Sequence, residues 1–194
     1  MNKIGNWENV KAATEYVPLP AGGYAVEIKN AKVKRYESDN GSFERFEIAL
    51  DIMDGEFKDY YANDYRSQTG EDKKWKGVLR LYLPKEDGSE KDEWTKSLFK
   101  ATIEAIEDSN PGYHWDWDES KLRGKKVGCL FRLEEWEYKG KTGKKAQAFK
   151  FIDINRIKSG KFRIPKEKLL NNSEAGTPTP AADFKDIPDE DIPF

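Results

Sequence analysis

From Gly22 onward, apolar and polar residues alternate along much of the chain. In GYAVEIKNAKVKRY, Tyr24, Val26 and Ile28 share one face, and the apolar phase then slips to Ala31 and Val33. Such a slip within a long strand predicts a β-bulge and a sharp bend. ESDNGS is a turn signal. FERFEIALDIM alternates again, with Phe46, Ile48, Leu50 and Ile52 on one side. Asp54-Gly55 then predicts a hairpin, with EFKDYYA as its return strand. After a loop through SQTGEDKK, WKGVLRLYLP predicts a short extra strand with Val78, Leu81 and Leu83 turned inward.

In DEWTKSLFKATIEAIEDSNPG the period changes. Trp94, Leu98, Ala101, Ile103 and Ile106 recur at helical spacing, and Asn110-Pro111-Gly112 ends the segment. Two more strands follow. GKKVGCLFRLEEWEY places Val127, Cys129, Phe131 and Leu133 together, KAQAFKFIDINRI is apolar on both faces, and the basic KGKTGKK joins them as a loop.

A long bent first strand, two further strands, a helix and two last strands is the order of a mainly β, five-stranded OB-fold barrel. Its one helix lies between strands 3 and 4. An SH3-like barrel or an unrelated α+β fold fits the same order. The predicted organisation is an N-terminal arm over 1–20, the barrel domain over 21–168, a flexible linker over 169–185 and a disordered acidic tip over 186–194. NNSEAGTPTPAA supplies the linker composition.

Composition narrows the function classes. The chain has 194 residues, 36% of them charged, and its 13% aromatic content argues against general disorder. No membrane span and no secretory signal is visible, and Cys129 is the only cysteine, which together favour the cytoplasm. Residues 183–194 carry five acids against Lys185, a net of −4, so the overall −2 leaves +2 on the body. That asymmetry points to charged partners.

Candidate binding residues follow from the charge. Lys139, Lys141, Lys144 and Lys145 surround the glycines of the last hairpin, beside Trp136 and Tyr138. The first strand adds Lys32, Lys34, Arg35 and Tyr36. Across the sheet lie Arg45, Lys58, Tyr60, Tyr61, Trp75 and Arg80. A basic groove with aromatic platforms suits single-stranded nucleic acid, because lysines neutralise phosphates and rings stack bases. Solvated turns and core aromatics explain the same residues without a ligand. Trp115 and Trp117 are expected to cap one end of the barrel.

Catalytic patterns are weak. Asp54, Glu56 and Lys58 resemble a metal-dependent nuclease triplet, but the two acids share one turn. Asp116, Asp118 and Glu119 fit no calcium loop. No phosphate loop and no nucleophile–histidine arrangement is present in the sequence. The expectation is a non-enzyme without metal or cofactor.

The ending DIPDEDIPF resembles the C-terminal tip of bacterial single-stranded DNA-binding proteins, most densely over Asp189, Glu190, Asp191, Ile192, Pro193 and Phe194. In that family an OB-fold core binds DNA, and the tip presents a Pro-Phe end to replication and repair proteins. Here the apolar end suits a shallow pocket and the acids suit a basic rim. The same acids also suit the chain's own basic groove, where they would compete with DNA. A purely solubilising terminus explains the acids but not Phe194. LPAGGYAVEIKNAKV, FEIALDIMDGEFKDYY and IEDSNPGYHWDWDES look like phage-encoded early proteins of Gram-positive hosts, over most of residues 18–165. The resemblance implies a phage single-stranded DNA-binding protein in the host bacterial cytoplasm, acting in replication or recombination. A replication adaptor that does not bind DNA is the main alternative, and self-association is left open.

Overall fold

The alternating segments form one antiparallel sheet in a computed structural model, which describes Gly5 and residues 17–38 and 41–170. Its elements are β1 (Gly22–Ser38), β2 (Gly41–Ile52), α1 (Tyr60–Ser67), β3 (Val78–Tyr82), α2 (Glu90–Ser109), β4 (Lys126–Tyr138), β5 (Lys141–Ile152) and α3 (Ile154–Lys158). The strand order is β3-β2-β1-β4-β5. The sheet is not closed by a backbone ladder. Its end strands meet where the Gln147 amide donates to the Val78 carbonyl, at 3.3 Å. No described helix is long and apolar enough to cross a membrane.

The bend in β1 falls at the predicted phase slip, as a register shift between Ile28 and Asn30. Before it, Gly22–Glu27 pairs with β4; beyond it, β1 runs on beside β2. Val26, Ile28 and Ala31 are buried, but Val33 is exposed. It lies in the half of β1 that β4 does not reach. Phe46, Ile48, Leu50 and Ile52 form the predicted core face of β2, joined by Leu79, Val127, Cys129, Phe131 and Phe151.

EFKDYYA does not form the expected return strand. Those residues form a turn and the start of α1, and the third strand is the short one at Val78–Tyr82. Asp51 explains the change. Its buried carboxylate accepts backbone N–H bonds from Ile52, Tyr61 and Ala62, at 2.9–3.0 Å, which anchors the first turn of α1. Burial pushes the Asp51 carboxyl up, and these bonds offset part of that. Phe57, Tyr60 and Tyr61 then pack ring against ring at helical spacing. At β3 Leu79 is the residue in the core, Val78 is buried on the opposite side of the strand, and Leu81 and Leu83 pack at the edge of the core.

The predicted helix is α2. Ser89 caps it by accepting from the Asp92 N–H at 3.1 Å. Its buried positions include Thr95, Thr102, Ile103 and Ile106, with Phe99 packed against the core. That phase turns Trp94 outward, so its assignment to the inner face is corrected. Trp115 caps the core as expected, but Trp117 is 77% exposed and stacks on Phe99.

KGKTGKK is not a loop. Lys139 and Gly140 both adopt left-handed φ, 48° and 73°, and form a two-residue turn. Lys141, Lys144 and Lys145 therefore belong to β5. The chain then returns along β4, where the Lys168 N–H donates to Leu133 and its carbonyl accepts from Glu135, both at 2.9 Å. This basic segment covers the part of β4 that β1 leaves unpaired.

Candidate nucleic-acid interface

Directly opposed residues on antiparallel strands point to the same side of a sheet. The register therefore builds three rows on the side of β1, β2 and β3 away from Phe46, Ile48 and Leu50. Lys32, Glu47 and Arg80 form one row. Lys34, Arg45 and Tyr82 form the next, and Tyr36 and Phe43 the last. Five predicted residues come together here: Lys32, Lys34, Tyr36, Arg45 and Arg80.

Glu47 is the centre of the cluster and is only 3% exposed. Its Oε1 accepts from the Tyr36 hydroxyl at 2.7 Å and from Arg45 Nη2 at 2.6 Å. Lys34 and Arg80 lie at ion-pair distances of 3.6 and 3.8 Å. Burial pushes the Glu47 carboxyl up, but the Tyr36 and Arg45 bonds and the charges of Arg45 and Lys34 more than offset it. The carboxyl is held below its ordinary range. Burial and the neighbouring Lys34 charge lower the Lys32 ammonium, with Glu47 opposing. Four cations surround one carboxylate, so the face stays electropositive.

The rings extend across the same three strands. Tyr36 stacks on Phe43 at 5.3 Å and 12°, and Phe43 meets Tyr82 at 5.5 Å. The Arg45 guanidinium lies over the Tyr36 ring, 4.4 Å from its centre.

The remaining predicted residues fall elsewhere. Arg35 is exposed on the other side of β1 and binds Glu37 and Ser42. Lys58 is exposed in the turn before α1. Tyr60, Tyr61 and Trp75 lie apart from these rows, and of the three Tyr61 is buried. The Tyr60 hydroxyl accepts from the Leu19 N–H, which pins the end of the N-terminal arm. Tyr61 is in the core. The Trp75 indole donates to the Leu50 carbonyl at 3.0 Å and packs against the core.

A second group stands on the β4–β5 hairpin. Trp136 lies against Gly143, where a Cβ would meet its indole at 2.7 Å. Tyr138 is 65% exposed, with Lys139 over its ring. Lys141 opposes Tyr138 and Lys145 opposes Glu134. Lys144 pairs with Glu167 at 2.6 Å. Asp189, Glu190, Asp191, Ile192, Pro193 and Phe194 lie outside the described residues, as do most of the arm, nearly all of the linker and the whole tip.

Glu47, Phe43 and Tyr82 were missed. The signal was present as parity: Phe43 and Glu47 alternate with Phe46 and Ile48, and so share the side of Arg45. No protein-family model and no curated protein matches the chain. Among the described residues no group of three or more His, Cys, Asp or Glu could hold a metal ion. Asp54 and Glu56 are exposed in the turn after β2.

Proposed function

We propose that the chain is a non-enzymatic single-stranded DNA-binding protein built on an OB-fold. The observation that carries this reading is the outer face of β1–β3. There the contacting Tyr36, Phe43 and Tyr82 rings lie beside Lys32, Lys34, Arg45 and Arg80. Cations along a backbone path with rings beside them bind strands with little sequence preference. An OB-fold is a partly open five-stranded barrel that binds oligonucleotides on strands 2 and 3 and on the fourth–fifth loop. The edge contact of Gln147 with β3, and the basic β4–β5 hairpin, agree with that plan. The tip, Asp186 to Phe194, recruits replication or recombination proteins, and the resemblance of residues 18–165 to phage early proteins supports a phage origin and action in the host cytoplasm.

Titrating labelled poly-dT by fluorescence anisotropy tests the core claim. Binding at low salt should weaken with added salt along a log–log slope of about −0.7 per neutralised phosphate. Lys32→Ala and Arg80→Ala should each make the slope shallower by roughly 0.7. Absence of binding at low salt overturns the reading.

A further inference from the structure

We propose, resting on the single-stranded DNA reading above, that Arg45 is a base-stacking platform rather than a bidentate phosphate clamp, with Tyr36 as its backing and Glu47 as its positioning residue. The geometry of the guanidinium carries this. Nε donates to Glu47 Oε1 at 3.0 Å, and Nη2 donates to the same oxygen at 2.6 Å and to the Tyr36 hydroxyl at 2.8 Å. Both hydrogens of Nη2 are thereby committed inside the protein. Either bidentate grip on a phosphate, from the side or from the end of the fork, needs one of them. A buried carboxylate already occupies the place a phosphate would take.

Nη1 keeps two N–H groups for a one-sided contact, and beyond these Arg45 offers a ligand its plane. Its guanidinium lies over the Tyr36 ring at 4.4 Å, and that ring is stacked within 12° of parallel on Phe43. Arg45 and Phe43 both lie against the Tyr36 ring on the outer side of the sheet, and Arg45 keeps 19% of its side-chain surface exposed. A guanidinium face is weakly hydrated and stacks readily on a nucleobase. Glu47 fixes the plane in two ways, by binding Nε and Nη2 and by holding the Tyr36 hydroxyl. Lys34 shares the row of Arg45, and Lys32 and Arg80 stand in the adjacent row, which places phosphate neutralisation beside these groups. The ligand class is thus an unpaired base on a phosphodiester strand.

The test separates base from backbone. Affinities of the full chain and of Arg45→Lys are measured by anisotropy for an oligo-dT strand and for an abasic strand of the same length. Lysine keeps the charge and loses the plane. Arg45→Lys should weaken oligo-dT binding about tenfold, leave abasic binding within about twofold, and keep the salt slope. As a check on the unaltered chain, the Arg45 Nε–H resonance should move upfield by ring current with oligo-dT and not with the abasic strand. Equal losses on both strands, no loss on either, or the same resonance shift with both overturn the platform while leaving DNA binding standing. Failure of the unaltered chain to bind either strand overturns the platform and the function together.

Discussion

Glu47 is buried because its partners surround it, and it keeps its charge for the same reason. Tyr36 and Arg45 bind it directly, and Lys34 and Arg80 add positive potential. Its carboxyl is held below the ordinary value of 4.5, so the folded state prefers the ionised form. The resulting stabilisation is complete above that value and is lost as pH falls through the lower folded value. Asp51 acts with the opposite sign, since burial raises its carboxyl and its ionised form costs stability. Glu47→Gln should therefore lose about 1–3 kcal/mol at pH 7, with a smaller deficit in acid. Urea unfolding of both chains at neutral and acid pH checks this, and an equal deficit at both would contradict it. The cations of this cluster were legible in the sequence because charge is a property of the residue. Glu47's role was not, because burial depends on what two other strands place around it. Trp75 and Tyr61 show the same limit, as an aromatic letter does not say whether its ring faces a ligand or the core.

Among the elements, the passage from β2 into β3 departs most from simple alternation. Asp51 turns EFKDYYA into the start of α1, which then covers Leu50 and the approach to β3. Gly77 makes room for this packing. A Cβ there would come to 2.5 Å of the Leu50 carbonyl oxygen and strike the Tyr61 ring. Gly77→Ala should cost about 1–3 kcal/mol by overpacking, read as a lower thermal midpoint in circular dichroism. A chain of unchanged stability would show that α1 is not seated on β2 as described. Ser89→Ala should cost about 1 kcal/mol through loss of the α2 cap, measured by the same melts. α2 itself was legible, because a twenty-residue amphipathic period is a strong local signal. α1 was not, because its start is fixed by a carboxylate ten residues earlier in the chain.

For the molecule as a whole, strand order decides which charges meet. β1 lies between β2 and β4, so its outer positions join those of β2 and β3, while the hairpin lysines form a separate group. The segment that leads to the linker ends along β4, beside that hairpin. On the proposed reading, deleting residues 186–194 should leave poly-dT affinity equal or tighter and abolish capture of partner proteins in pull-downs from bacterial extract. Weaker DNA binding by the truncated chain would contradict this. By itself the sequence determined the mainly β class, the bend in β1, the helix before β4 and the acidic Pro-Phe ending. Each is written in local periodicity or in contiguous residues. Only the tertiary structure decided that the third strand is Val78–Tyr82, that the KGKTGKK lysines sit mainly on a strand, and that Arg45 is locked to Glu47 over Tyr36. Those outcomes depend on hydrogen bonds and packing between residues distant in the chain, where periodicity carries no information.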